Sequence, residues 1–334
     1  MKSWRLAACI AATIIAASPP GPVRALQSRG TPPAREGRIV IGQASLYFRK
    51  IGRGQPLIVL HGGPDFDTSY LLPDLDRLAD GYRLLYYDQR GRGRSADGVR
   101  PEDVTMASDV DDLDKVRQHF QWQSTALLGH SWGTVLALEY ALSHSEHVSH
   151  LILMNPAPAS TSDLRAFRKS YLERLGADMD RQRAISASAG YQAGDPEAVA
   201  TRYSLHFKFA LARPEDYERL MATMKAAFVR QGKDGIVKAR AVEDHLMRDT
   251  WQAASYDLLP RLRTLRIPTL VIAGDRDFIP VEIAAHIAAA IPGARLVTLE
   301  NCGHFSYLEC PTDVRTAVDH FFRQTASAIP NPRH

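Results

Sequence analysis

Short apolar runs at 57–60, 84–87, 125–128 and 151–154 recur through the first half of the chain. Between them lie stretches with helical spacing of apolar positions, near 69–79, 105–120 and 132–144. Runs of this length without polar alternation are the pattern of strands buried on both faces. Their alternation with amphipathic helices predicts a mostly parallel sheet covered by helices on both sides. Ahead of them, 38–41 and 45–48 flank a turn at Gly42-Gln43 and predict a hairpin at the sheet edge. The alternation stops after Asn155-Pro156. Residues 157–255 are rich in Arg, Ala, Glu and Asp and contain no convincing strand, so a helical insertion is expected there. The pattern then resumes with runs at 269–272 and 295–298 and helices near 281–291 and 312–323. The expected organisation is one α/β domain with an inserted helical cap. Its core runs over 37–156 and 256–325, the cap over 157–255, and a flexible tail over 326–334.

The N-terminus changes the reading of charge. Lys2 and Arg5 precede an apolar run from residue 6 to 17, and a Pro-rich stretch ends in Val23-Arg24-Ala25. That order predicts a secretory signal peptide over 1–25, cleaved near Ala25, followed by a disordered leader over 26–36. An exported (periplasmic or secreted) protein is expected. The apolar run is too short to span a bilayer, so no stable membrane insertion is expected. Removing the segment takes away three basic residues and no acidic ones, and the formal excess falls from four to one. A nucleic-acid partner then has no electrostatic support. The mature chain keeps Cys302 and Cys310, which export permits to pair or to remain as free thiols.

The strongest chemical signal is Gly129-His130-Ser131-Trp132-Gly133, set between a strand and a helix. A serine on such a sharp turn exposes its hydroxyl as a nucleophile, and Ser131 is assigned that role. A serine hydroxyl needs a base to take its proton. Of twelve histidines only His304 lies just past a late strand, in a loop able to fold over the C-terminal edge of the sheet. His130 and His61 are read as structural. The base needs a carboxylate to orient it, and Gly274-Asp275-Arg276-Asp277 offers two. Asp277 is preferred, with Asp275 left to cap the turn. Two backbone donors are expected for an oxyanion, from Trp132 and from Gly63 in the loop His61-Gly62-Gly63-Pro64. Asp88-Gln89-Arg90-Gly91-Arg92-Gly93-Arg94-Ser95 is read as a tight turn in which Asp88 satisfies backbone amides. No cofactor or metal is implied by any of these motifs.

Together, HGGP at 61–64, DQRGRGRS at 88–95, GHSWG at 129–133, GDRD at 274–277 and GH at 303–304 resemble the α/β-hydrolase superfamily, most of all its prolyl aminopeptidase (proline iminopeptidase) family. The resemblance covers roughly residues 37–325. It implies the α/β-hydrolase fold and two-step acyl transfer on a small-molecule or short-peptide substrate with a free N-terminus. It also implies an acidic cap residue that binds the substrate's α-amine, for which Glu243 is the nearest candidate. The chain departs from the family at Asp65, which follows Pro64 where glycine is usual. It departs again at Phe278, where some members carry a further acidic residue. A small-ester carboxylesterase or lactonase is the alternative, and a catalytically inactive binding protein on the same fold a remote one. The oligomeric state leaves no mark in the sequence.

Overall fold

The computed structural model describes residues 33–326, and the signal peptide expected over 1–25 lies outside them. The apolar runs become eight strands: β1 (Arg35–Ile41), β2 (Ala44–Ile51), β3 (Gln55–Leu60), β4 (Tyr82–Tyr87), β5 (Thr125–His130), β6 (Val148–Met154), β7 (Thr269–Gly274) and β8 (Arg295–Leu299). They form one sheet in the order β1-β2-β4-β3-β5-β6-β7-β8. β1 and β2 pair antiparallel, β2 meets β4 antiparallel, and every pairing from β4 through β8 is parallel. The central strands are dry: Leu57, Ile58, Val59 and Leu60 are fully buried, as are Leu151 to Met154. Strands with no wet face must be apolar at every position, and for that reason their sequence lacks alternation.

Helices α1 (Met106–His119) and α2 (Gly133–Ser143) cover the sheet between β4 and β6. α1 starts where Thr105 and Ser108 bond each other's backbone amides, a reciprocal cap. The insertion is helical: α3 (Thr161–Leu175), α4 (Asp178–Ala187), α5 (Ala189–Gln192), α6 (Pro196–His206) and α7 (Pro214–Asp249). α7 breaks at Gly232, where φ 69° and ψ 173° leave helical space. On its inner face Leu220, Met224, Phe228, Ile236, Ala239, Val242 and Leu246 are buried. Both ends of the insertion meet at one neck, where Thr161 N donates to Tyr256 O at 2.9 Å and Leu258 N to Ala159 O at 2.9 Å. The core then continues with α8 (Leu259–Leu262), α9 (Val281–Ala290), α10 (Ser306–Glu309) and α11 (Pro311–Ala326).

Three expectations need correction. The stretch 69–79 is not one α-helix but two short 3-10 segments, Thr68–Leu71 and Asp74–Asp80. Pro73 separates them. It lacks an N–H to continue a helix, and its ring disfavours the helical conformation at Leu72. The expected leader over 26–36 overlaps the sheet, because Arg35 and Glu36 already pair with Lys50 and Arg49. Ala326, assigned to the tail, is still the last residue of α11. No helix among the described residues is long and apolar enough to cross a membrane.

Candidate active site

The C-terminal ends of β3, β5, β6 and β7 and the loop beyond β8 converge on one region. Ser131 occupies the turn between β5 and α2 with φ 54°, in the left-handed region where a residue with a side chain is strained. The turn is held from outside: Ser131 N donates to Met154 O at 3.1 Å, and Thr134 Oγ1 donates to Ser131 O at 2.7 Å. α2 packs tightly on β3, so a Cβ at Gly133 would lie 2.2 Å from Leu60 O. Only glycine fits there, which is the physical content of the last letter of the GHSWG motif.

His304 and Asp277 come together as expected. His304 Nδ1 lies 3.0 Å from both carboxylate oxygens of Asp277, and both side chains are almost fully buried. An ionised carboxylate only accepts, so Nδ1 carries the proton and Nε2 the lone pair. Asp277 is itself fixed: Oδ1 accepts from Ile279 N at 2.8 Å and Oδ2 from Asn155 Nδ2 at 2.9 Å. Asp275 instead accepts from Cys302 N at 3.2 Å, as a turn-capping residue does. The rings of Phe278 and Phe305 stand edge-on to the His304 imidazole, at 4.7 and 5.2 Å between centroids. Cys302 and Cys310 are disulfide-bonded across the His304 loop, with 6.2 Å between their Cα atoms.

His130 and His61 are structural. Gly62 N donates to Tyr70 Oη at 2.7 Å, and the Tyr70 hydroxyl lies 2.9 Å from His130 Nδ1. His130 Nε2 lies 2.9 Å from the His304 carbonyl, which can only accept, so Nε2–H donates there and Nδ1 accepts from Tyr70. Burial holds His130 well below the usual histidine range and therefore neutral. This chain of bonds ties the Gly62-Gly63 loop to the His304 loop through the residue preceding Ser131. His61 Nε2 accepts from Gln89 N at 3.0 Å, its Nδ1 lies 3.0 Å from Gly62 O, and burial lowers its pKa to about 4. Asp88 accepts from the amides of Thr68 and Arg94 at 3.1 and 3.0 Å, as the turn reading expects.

Sheet and cap enclose a cavity of about 200 Å³ whose walls include Gly63, Ser131, Trp132, His304 and Glu243. Five of the six residues singled out in the sequence thus share one space, and the sixth, Asp277, stands behind His304. Trp132 opens α2 with its ring against Trp251 of the cap, 4.8 Å between centroids. Gly63 has φ 123°, a conformation left to glycine. Glu243 is half-buried on the cavity wall. Burial pushes its pKa well above the carboxylate range, and the nearby Asp65 carboxylate adds to this while Arg202 opposes it. Asp65, the departure in the HGGP loop, is buried, and its Oδ2 accepts from Tyr203 Oη at 2.5 Å. That bond cross-links the Gly63 loop to α6 of the cap. Among the described residues no group of three or more His, Cys, Asp or Glu is arranged to hold a metal ion.

Three contributors escaped the sequence reading. Asn155 donates to Asp277 and to Gly303 O at 3.0 Å, and accepts from Ser306 Oγ at 2.6 Å. Its place at the end of β6, next to Pro156, was the only available signal. Tyr70 and Arg202 gave none, because each reaches the site from an element whose orientation the sequence leaves open.

The sequence profile of the alpha/beta hydrolase fold family matches residues 55–311, and the chain belongs to that family. It is accordingly an enzyme of the hydrolase class. Among its relatives is a proline iminopeptidase of Saccharolobus solfataricus, 27% identical over 287 residues, covering 84% of this chain and 88% of that protein. A solved proline iminopeptidase-related protein from Thermus thermophilus superposes with a TM-score of 0.68 at 23% identity, over 89% of this chain and all of its own. The enol-lactonase from Burkholderia xenovorans does so with a TM-score of 0.63 at 21% identity, over 86% of this chain and all of its own. At such identities the structural likenesses speak for the fold alone.

Proposed function

We propose that the protein is a serine hydrolase in which Ser131, His304 and Asp277 act as a catalytic triad on small N-terminal aminoacyl substrates. The observation that carries the reading is a strained Ser131 sharing one cavity with His304, whose imidazole is paired with a buried Asp277 behind it. His304 Nε2 takes the proton from Ser131 Oγ as the serine attacks the substrate carbonyl. The amides of Gly63 and Trp132 stabilise the oxyanion, the second aided by its position at the start of α2. His304 then protonates the leaving amine, and water releases the acid from the acyl-enzyme. The Glu243 carboxyl on the cap wall of the cavity, with the Asp65 carboxylate buried nearby, supports an ammonium-bearing substrate, as does the likeness to proline iminopeptidases. A substrate amine that enters beside Glu243 in its neutral form takes the proton of the carboxyl, and the ammonium–carboxylate pair results.

Small esters or lactones are the second reading, favoured by the apolar Phe278 standing against His304. A panel of prolyl and alanyl arylamides, short p-nitrophenyl esters and lactones separates the two. Glu243→Gln is expected to lower the ratio of arylamide to ester kcat/KM by at least about thirtyfold, since losing one member of a desolvated charge pair costs about 2–5 kcal/mol. An unchanged ratio removes Glu243 as the amine receptor and puts the esterase reading first. Export is part of the proposal, and the Cys302–Cys310 bond supports it because disulfides persist in oxidising compartments. Mass spectrometry of secreted protein is expected to find an N-terminus near Leu26, and an intact Met1 would contradict it.

A further inference from the structure

The cap wall of the cavity holds a guanidinium with two donors that nothing among the described residues binds. Arg202, on α6, lines the cavity. Its Nε and Nη1 are buried and have no hydrogen-bond partner among the described residues. The guanidinium lies 5.5 Å from the centroid of the Tyr203 ring, a contact that leaves the N–H groups unused. Asp65 and Glu243 both feel its charge, yet the Asp65 carboxylate takes its bond from Tyr203 and Glu243 takes none from Arg202. Charge balance alone does not account for this arrangement. A guanidinium placed to neutralise a carboxylate normally grips it with a two-pronged fork. Arg240, which also faces this corner, differs: its Nη1 and Nη2 donate to Tyr191 O and Gln192 O at 2.8 and 3.0 Å. Buried donors without acceptors are rare in folded proteins, and in a substrate cavity they mark where a ligand's acceptor belongs.

We propose that the acyl group accepted by this site is an acidic amino acid, its carboxylate held by Arg202 and its ammonium by Glu243. The inference rests on the aminopeptidase reading above and narrows it. One ammonium and one carboxylate on a single small acyl group match the two kinds of charge on this wall, and a cavity of about 200 Å³ has room for one such residue. The chemistry stays that of acyl transfer. The glutamyl–amide bond breaks, the amine leaves with a proton, and water supplies the hydroxyl of the freed acid and the remaining hydrogen. Two linkages present the same groups, an α-glutamyl amide and a γ-glutamyl amide, and both are to be compared.

The test measures kcat/KM for alanyl, prolyl, α-glutamyl and γ-glutamyl p-nitroanilides with the wild type and with Arg202→Met and Arg202→Lys. One glutamyl linkage is expected to exceed alanyl and prolyl by at least about tenfold. Arg202→Met is expected to lower the ratio of that glutamyl substrate to alanyl by at least roughly thirtyfold, the scale of breaking a desolvated charge pair. Arg202→Lys keeps the charge but not the fork and is expected to fall between. If neither variant folds, the wild-type ranking decides alone. Alanyl or prolyl cleavage equal to or better than both glutamyl substrates overturns the inference while leaving the aminopeptidase reading intact, as does an unchanged ratio in Arg202→Met. If no arylamide is cleaved while p-nitrophenyl esters are, the aminopeptidase reading fails and this inference with it.

Discussion

The polar groups around His304 on the sheet side of the cavity and Arg202 on its cap side differ in how much of their bonding capacity the protein uses. On the sheet side Asp277 is held by His304, Asn155 and Ile279, and His130 is bonded through both ring nitrogens. On the cap side Arg202 has two buried donors without acceptors among the described residues, and Glu243 is a half-buried carboxyl pushed toward its neutral form. A group whose task is to move a proton must sit in one orientation, and a full set of partners enforces that. A group that recognises a substrate must keep its bonding capacity for the substrate. In the proposed reading the bonded Asp277 and His130 serve the chemistry, and the unbonded donors of Arg202 serve recognition of the substrate.

The division is most exposed at its sheet-side centre. Ser131→Ala is expected to cost about a millionfold in kcat, the scale known for removing a serine nucleophile from a triad. Labelling by an organophosphonate is expected to vanish with it, and activity above about one percent of wild type would refute the assignment. Asp277→Asn is expected to lower kcat by roughly ten-thousandfold, because an amide can present its N–H to His304 and stabilise the wrong tautomer. Asp275→Asn is expected to cost less than about tenfold, since that carboxylate bonds the Cys302 amide and pairs with the exposed Arg276, away from His304. Equal losses at the two positions would reassign the acid.

Asn155→Ala tests whether the sheet side depends on its supporting bonds. The change strips a partner from Asp277, Gly303 O and Ser306 at once. A fall in kcat of roughly ten- to a hundredfold is expected, from about 1–3 kcal/mol per stranded buried group, with KM little altered. A change in KM alone would make Asn155 part of substrate binding and blur the division.

The smallest expected effect is on stability with pH. His61 accepts a backbone N–H through Nε2 and is held neutral, with its pKa lowered by burial from 6.5 to about 4. Its folded value lies below its unfolded one, so the unfolded chain binds the proton first. The contribution is therefore intact above about pH 6.5 and is lost as pH falls toward 4. The loss is at most about 3 kcal/mol from this group. Tm measured from pH 7 to pH 4.5 is expected to decline, and a flat profile would show that His61 titrates normally in the folded state.

Much of this protein was legible in its sequence because much of it is local. A strand buried on both faces must be apolar at consecutive positions, so the runs of β3 to β7 were visible without the fold. The sharp turn at Ser131 was visible because Gly133 has to let α2 meet β3, and the partner of His304 because Asp277 stands just beyond the end of β7. Pro73 shows where local reading failed, since helical spacing of apolar residues around 69–79 outweighed a missing N–H. The rest came from contacts between distant segments. Asn155 meets Asp277 across 122 residues, and Tyr203 meets Asp65 across 138. Arg202 and Glu243 share a wall only because α6 and α7 fold over the same end of the sheet. Amphipathic spacing fixes which face of a cap helix is buried, but the angle at which one helix crosses another depends on packing between distant segments. Substrate recognition rests on that angle, so it is the property the sequence left open.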